Sequence, residues 1–205
     1  MQIIKKYFTL TDSQEQQMAA LDVLYHDWNA KINVISRKDI DNLYEHHVLH
    51  SLAIAKILQF KPETTILDLG TGGGFPGIPL AIMFPDCQFT LLDSIGKKIL
   101  VAQEVAKSLG LQNVKCEQMR AEDERGKYDF IVSRAVMQLS DLVRLCRKNM
   151  SHNQHNALPN GLICLKGGEL QHEIRPFHRI ATLYDVSEFY DEEYFKTKKA
   201  VYLPL

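Results

Sequence analysis

Thr65-Ile-Leu-Asp68-Leu-Gly70-Thr-Gly72-Gly73-Gly74-Phe75-Pro76-Gly77-Ile-Pro-Leu80 is the stretch on which the rest of the chain turns. Residues 65–69 form a short apolar run with one carboxylate inside it, the pattern of a strand buried on both faces. The glycines that follow let the backbone turn sharply and let a ligand approach main-chain N–H groups. An apolar segment over 78–84 then reads as a helix. Strand, glycine turn and helix in that order open a βαβ unit, and the turn lies at the strand's carboxyl end, where open α/β sheets bind ligands.

Two cofactor classes use such a turn. Gly72-x-Gly74-x-x-Gly77 matches the dinucleotide fingerprint, in which a pyrophosphate sits on the helix N-terminus. Asp68-x-Gly70-x-Gly72-x-Gly74 matches the acidic-x-G-x-G-x-G form that binds S-adenosylmethionine, where the carboxylate pairs with the cofactor's α-amino group. Three features favour the second. A carboxylate just before the turn repels a pyrophosphate, Pro76 suits a first helical turn better than helix–strand packing, and the strand ends directly at Gly70.

Beyond the turn, short apolar runs alternate with longer amphipathic stretches. Strands are expected over 89–93, 114–117, 128–133 and 162–166, and helices over 97–109 and 139–148. Segments 180–190 and 199–203 look like an antiparallel edge pair, and 150–160 like a polar loop. The alternation predicts a parallel sheet covered on both faces with right-handed crossovers. Before Pro62 the period is helical instead. Met18, Leu21, Leu24 or Tyr25, and Trp28 follow Ser13 and Gln16 spaced as a capping box. Ile40, Leu43, Val48, Leu52 and Leu58 follow Asp39 as a cap. The division is therefore a helical extension over 1–61 and an α/β domain over 62–205.

At 205 residues, 45% hydrophobic and 24% charged, the chain can bury one sizeable core. A formal net charge of −1 argues against bulk electrostatic binding of nucleic acid. No apolar run reaches the ~18 residues of a membrane span, and the first residues lack signal-peptide order. Cys87, Cys116, Cys146 and Cys164 contain no C-x-x-C and read as reduced, buried thiols. A cytoplasmic protein that binds no membrane and no metal is expected.

Further candidate residues fall at strand ends. Asp93 closes the second strand and could accept both ribose hydroxyls of an adenosine cofactor, or cap the next helix with Ser94. Ala121-Glu122 follows the third strand and could edge the adenine pocket. Ser133-Arg134-Ala135-Val136 ends the fourth, facing the transferred group. It is neither the N-P-P-Y or D-P-P-Y tetrad that holds an exocyclic amine nor accompanied by a Pro-Cys nucleophile. A target needing no activation remains, and guanine N7 is one: its lone pair is nucleophilic and no proton leaves. Arg134 could bind guanine O6, a phosphate or the cofactor carboxylate, or sit in a surface ion pair with Asp129 or Glu122. From Asp93 to Lys148 there are eleven Lys or Arg against eight Asp or Glu. Lys97, Lys98, Arg134 and Lys166 share the rim of the glycine turn, and Asn33, Ser36, Arg37, His46, His47 and His50 could close over it.

These residues resemble the RsmG (GidB, glucose-inhibited division protein B) family of bacterial ribosomal RNA methyltransferases. The resemblance covers Trp28-Asn with Asn33 and Ser36, His47-Val-Leu-His-Ser-Leu52, the run from Leu67 to Leu80, Leu92-Asp-Ser-x-Gly-Lys97, Arg120-Ala-Glu122, Ser133-Arg-Ala135 and Lys166-Gly167. It implies a Rossmann-like class I AdoMet-dependent methyltransferase fold with a mostly parallel seven-stranded sheet. It implies methylation of N7 of a guanine in 16S ribosomal RNA, with S-adenosylmethionine as donor and S-adenosylhomocysteine as product. The partner would be that RNA, within the small ribosomal subunit or an assembly intermediate, and the enzyme a monomer. Asp68, Gly70, Gly72, Gly74, Phe75, Asp93, Ala121, Glu122 and Arg134 would hold the cofactor. Arg134 and Ser133 would serve catalysis, and Asn33, Arg37, His47, Lys97 and Lys166 would contact RNA. Many members have Asp where this chain has His50, so a pairing with Lys or Arg there would depend on pH. An NAD-type oxidoreductase and a non-catalytic AdoMet- or RNA-binding module are the competing readings.

Overall fold

The computed structural model describes residues 1–134 and 137–205, so Ala135 and Val136 of the expected rim lie outside the described residues. Seven strands form one sheet: β1 (Thr65–Leu69), β2 (Gln88–Asp93), β3 (Val114–Gln118), β4 (Phe130–Arg134), β5 (Gly161–Gly167), β6 (Thr182–Asp185) and β7 (Lys198–Pro204). Their order is β3-β2-β1-β4-β5-β7-β6. The first five run parallel, and β7 lies antiparallel between β5 and β6. The strand order reverses beside β1, which opens a crevice at the carboxyl ends of β1 and β4. β6 is shorter than expected, because the chain leaves it at Asp185 for a 3₁₀ turn.

Period-two alternation divides the sheet's side chains between two apolar layers. Ile66, Phe89, Leu91, Phe130, Val132, Ile163 and Leu165 face one layer, with α1 (Gln2–Tyr7), α2 (Asp12–Lys31), α3 (His50–Ile57), α4 (Gly77–Met83) and α5 (Gly96–Ser108). Leu67, Leu69, Leu92, Ile131, Leu162 and Cys164 face the other, with α6 (Leu139–Cys146) and α7 (Gln171–Ile174). Burying each such side chain contributes roughly 1.5–3 kcal/mol, so a charge at Leu67 or Ile131 would open the sheet. Cys87, Cys146 and Cys164 are buried thiols, while Cys116 is half-buried.

The N-terminal helices sit on the layer of α4 and α5. α2 starts two residues earlier than expected: Thr11, not Ser13, is the cap, and its hydroxyl and the Gln14 side chain bond reciprocally to each other's backbone N–H. The Gln14 amide also donates to the carbonyls of Ile82 and Met83 at the end of α4, and Gln17 donates to Leu109 O beyond α5. One helix thus satisfies terminal carbonyls of two others. The second helical pattern forms in three pieces: a 3₁₀ turn (Ile40–Asn42), a π-helix (Leu43–Leu49) and α3. Asp39 does not cap it; the carboxylate is drawn to two histidines of the π-helix.

Candidate active site

The crevice holds a cleft of about 650 Å³ lined by Gly70, Thr71, Gly72, Phe75, Asp93, Ala121 and Arg134, among others. That volume lies inside the ~300–1,000 Å³ of small-molecule sites. Its floor is the glycine turn, fixed from three sides. Gly70 N and Thr71 N donate to Leu92 O at 2.8 and 3.0 Å, Gly72 N donates to Asp93 Oδ2 at 2.9 Å, and Tyr25 Oη of α2 donates to Gly73 O at 2.8 Å. Gly74 has φ +110°, and a Cβ there would meet Ile78 Cδ1 at 2.5 Å. At Gly72 a Cβ would meet nothing within 4 Å, so this part of the turn is bare toward the cleft and leaves room for a cofactor.

Asp68 lies beneath the turn, fully buried and not lining the cleft. Its Oδ2 accepts from Thr71 Oγ1 at 2.6 Å and from Gly77 N at 2.7 Å, while Oδ1 has no partner. Burial pushes this carboxyl up to about 7 against the opposing pull of those two bonds. Instead of reaching a ligand's amino group, Asp68 holds the turn to α4. The same contact bears on the dinucleotide fingerprint, since the first N–H of α4, where a pyrophosphate would sit, already donates to the chain's own carboxyl. Pro76 stands at the cap position, one residue before the helix.

Asp93 does not cap α5, whose cap position is Ile95 with no side-chain bond. Oδ1 accepts from Ile95 N at 2.9 Å, forming a local turn before α5, and Oδ2 accepts from Gly72 N. Each oxygen retains a lone pair, and the side chain lines the cleft. Ala121 and Glu122 line it from the loop after β3, beside Met119 and Arg120.

β4 delivers Ser133 and Arg134 to opposite faces. Ser133 is buried, and its hydroxyl donates to Leu69 O at 2.8 Å, tying β4 to β1. This placement keeps it out of the cleft lining and gives no support to a catalytic Ser133. Arg134 does line the cleft. Nη1 donates to His46 O at 3.3 Å, Nη2 to His47 Nδ1 at 3.0 Å, and Cζ stands 5.1 Å from the Phe75 ring centroid. Among the described residues no carboxylate lies within 4.0 Å of it, so the ion pair with Asp129 or Glu122 does not form. Burial pushes its pKa below the usual arginine value, against the upward pull of Tyr194, Asp68, Tyr25 and Asp39.

Phe75 is clasped between Arg134, Tyr25 (centroids 4.7 Å apart) and His47 (5.4 Å). His47 Nε2 stands 2.6 Å from Asp39 Oδ2, and His46 Nδ1 bonds the other oxygen. Burial, then the charge of Arg134, pushes His47 down to about 4. For Asp39, burial acts upward, but bonds from the two histidines more than reverse it and hold the carboxyl below its usual value. His50 is buried edge-on to Tyr194 and Phe195, with Nε2 unpartnered. Burial, then Arg134, Lys198 and His47, pushes it down to about 3. The expected pH-dependent pair is absent here, and His50 is a neutral core residue.

The expected RNA contacts scatter. Asn33, Arg37 and Lys97 are exposed, and it is the neighbouring Lys98 that lines the cleft. Lys166 Nζ is spent internally, on Glu173 Oε2 and Met137 O at 2.7 Å each. Sequence reasoning places Lys98 on the rim but gives the RNA contact to its neighbour Lys97, reads Tyr25 as a helix-face residue and Asp39 as a cap, and misses Val34. Among the described residues no three His, Cys, Asp or Glu side chains gather as a metal site, and no helix is long and apolar enough to cross a membrane.

Comparison with known proteins narrows what this arrangement serves. Residues 14–193 match the family model described as GidB, rRNA small subunit methyltransferase G. The ribosomal RNA small subunit methyltransferase G of Bacteroides thetaiotaomicron is 63% identical over 203 residues, covering 98% of each chain. That of Porphyromonas gingivalis is also 63% identical, over 100% of this chain and 93% of the other. Among solved structures, a SAM-dependent methyltransferase from Aquifex aeolicus superposes with TM-score 0.57 at 17% identity, over 82% of this chain and 98% of that one. At that identity the likeness concerns the fold, which is Rossmann-like.

Proposed function

The chain belongs to the rRNA small subunit methyltransferase G family, and from that premise we propose that it transfers the methyl group of S-adenosylmethionine to N7 of a guanine in 16S ribosomal RNA. Bound there, S-adenosylmethionine supplies an electrophilic methyl group on a sulfonium. The observation that carries the reading is Arg134: a half-buried guanidinium at the end of β4, without a carboxylate partner among the described residues, in the same cleft as Asp93 and a bare glycine turn. Asp93 offers free lone pairs to ribose hydroxyls, and Arg134 offers its remaining N–H groups to the cofactor's carboxylate. Gly70, Gly72 and Phe75 shape the wall between them.

Guanine N7 presents its lone pair without losing a proton, so the chain has to align the base rather than deprotonate it. The product base is a cation. The cleft's described lining fits this, since its ionisable side chains are Asp93, Glu122, Arg120, Lys98 and Arg134, with no histidine among them. Lys98, Arg120, Arg37 and Asn33 are the candidates for phosphate contact. A near-neutral chain with so few rim cations should bind RNA weakly without the correct folded target. We place the enzyme in the cytoplasm as a monomer acting on the small subunit or an assembly intermediate.

Unmethylated small-subunit particles incubated with methyl-labelled S-adenosylmethionine should acquire label at one guanine N7. Label on another base or on another atom of guanine would overturn the assignment. Calorimetry should show S-adenosylhomocysteine binding and no NAD binding; the reverse would favour an oxidoreductase.

A further inference from the structure

We propose that Asp39 and His47 are positioning residues for Arg134: the Asp39 carboxylate fixes the His47 ring in one tautomer, and the bare Nδ1 of that ring holds the Arg134 guanidinium across the face of Phe75 and toward the cleft. The inference rests on the cofactor-binding role given to Arg134 above and adds a reason for that side chain's orientation.

Hydrogen-bond chemistry at both ends of the ring leads to the same tautomer. A carboxylate oxygen only accepts, so the 2.6 Å contact between His47 Nε2 and Asp39 Oδ2 requires a proton on Nε2. A guanidinium only donates, so the 3.0 Å contact between Arg134 Nη2 and His47 Nδ1 requires Nδ1 to be bare. Neutral imidazole with the proton on Nε2 satisfies both. If the ring carried its proton on Nδ1, two donors would face each other and Arg134 would be pushed off Phe75. The expectation of an RNA phosphate contact from His47 does not fit this arrangement, because both ring nitrogens are engaged and the side chain is 12% exposed.

The local backbone makes the relay possible. In the π-helix Leu43–Leu49 the wider turn brings adjacent His46 and His47 to the two oxygens of one carboxylate. π-turns recur at functional sites. The same segment lends a carbonyl, since His46 O accepts from Arg134 Nη1 and, at 3.4 Å, from Tyr194 Oη. The His46 ring stacks on Tyr194 with centroids 3.7 Å apart, which secures the second histidine independently of the first. Asp39 and His47 do not line the cleft, so any effect of Asp39 on the ligand passes through the His47 ring and the two lining residues that ring touches, Arg134 and Phe75.

Amide side chains separate the two ends of the ring. Asn at position 47 presents its oxygen near the place of Nδ1, keeping an acceptor for Arg134 without needing Asp39. Gln presents its amide near Nε2, keeping the Asp39 bond and losing the acceptor. S-adenosylhomocysteine affinity, measured by calorimetry, should fall on the order of tenfold in Asp39→Ala and in His47→Gln. It should stay within about threefold of wild type in His47→Asn. Adding Asp39→Ala to His47→Asn should then cost nothing further, which a purely structural Asp39 would not allow. Asp39→Asn serves where the alanine variant folds poorly by circular dichroism. Equal losses from Asp39→Ala in the wild-type and His47→Asn backgrounds would overturn the proposal, as would unchanged affinity in Asp39→Ala. A second reading needs no ligand: ¹⁵N shifts of the His47 ring should show protonated Nε2 and bare Nδ1 in wild type and a tautomer mixture in Asp39→Ala. Bare Nε2 in wild type would refute the relay. A wild-type protein that shows the expected tautomer but binds no S-adenosylhomocysteine would instead refute the cofactor reading.

Discussion

Replacing Asp68 by Asn tests whether a buried carboxyl sets the pH response of the fold. Asp68 is fully buried and moved from an ordinary 3.8 to about 7, which corresponds to on the order of 4 kcal/mol. The sign follows from linkage. Between pH 4 and 7 the folded state holds this proton and the unfolded state has lost it, so stability falls as pH rises through that window and levels off above about 7. Asn has no proton to lose. Its amide oxygen can take the place of Oδ2 and accept from Thr71 Oγ1 and Gly77 N, while its NH₂ enters the site of the unpartnered Oδ1. Two unsatisfied donors there cost roughly 1–3 kcal/mol at every pH. The stability difference, Asp68→Asn minus wild type, should therefore begin negative near pH 4 and rise by on the order of 4 kcal/mol by pH 8. Urea unfolding followed by fluorescence at half-unit pH intervals reads this directly, and the subtraction removes the other titrating groups. A difference that stays flat from pH 4 to pH 8 would refute the reasoning.

Three further outcomes are expected. Asp93→Ala should weaken S-adenosylhomocysteine binding by about 1–3 kcal/mol, read by calorimetry, since it removes both the candidate ribose acceptor and the bond that holds Gly72 N; unchanged affinity would leave Asp93 as a turn residue alone. His50→Leu should lessen acid sensitivity: the wild-type ring, held to about 3, contributes stability that is complete above its unfolded value of about 6.5 and already reduced by about 2 kcal/mol at pH 5. A wild-type and variant Tm difference that does not change between pH 7.5 and pH 5 would refute this. Gly77→Ala and Gly72→Ala should fail in different ways. The first places a Cβ 2.7 Å from Asp68 Oδ2 and should cost about 1–3 kcal/mol of stability. The second meets no atom of the chain but points its methyl into open space, so it should lose cofactor affinity beyond the ~1–2 kcal/mol of backbone strain at φ +58°. Equal Tm losses with equal affinities would contradict the distinction.

The parts of the molecule that could be read from its residues are those whose determinants are local. Ile66 and Leu67 belong to a run whose alternate members enter opposite layers, and the glycine turn carries its conformational demand in its own residues. Ser133 and Arg134 read together as catalytic, although the strand's own alternation parts them, sending one hydroxyl to Leu69 O and one guanidinium to the cleft. Where position depends on distant partners, local pattern has nothing to work with. Tyr25 meets Gly73 across 48 residues, and Lys166 is neutralised by a glutamate that pattern alone does not place beside it. Lys97 and Lys98 differ only in the rotation of α5, which its packing sets. Asp39 looked like a cap because helical periodicity assumes 3.6 residues per turn, and the π-turn that recruits it to His46 and His47 breaks that assumption.

The place of β7 within the sheet has a consequence for how the enzyme comes into being. β6 is made before the strand it pairs with, and β5 waits for that same strand to cover its outer edge. At the other end, Lys6 and Tyr7 of α1 bond to Asp191 and Glu192, and His46 stacks on Tyr194. Helices that leave the ribosome first are therefore completed by residues that leave it nearly two hundred positions later. Such long-range closure slows folding and leaves early segments exposed meanwhile. The groups around Arg134, drawn from both ends of the chain, come together only after synthesis has passed Tyr194. A chain that has not yet reached Tyr194 therefore lacks the ring that stacks on His46 and the hydroxyl that shares the His46 carbonyl with Arg134.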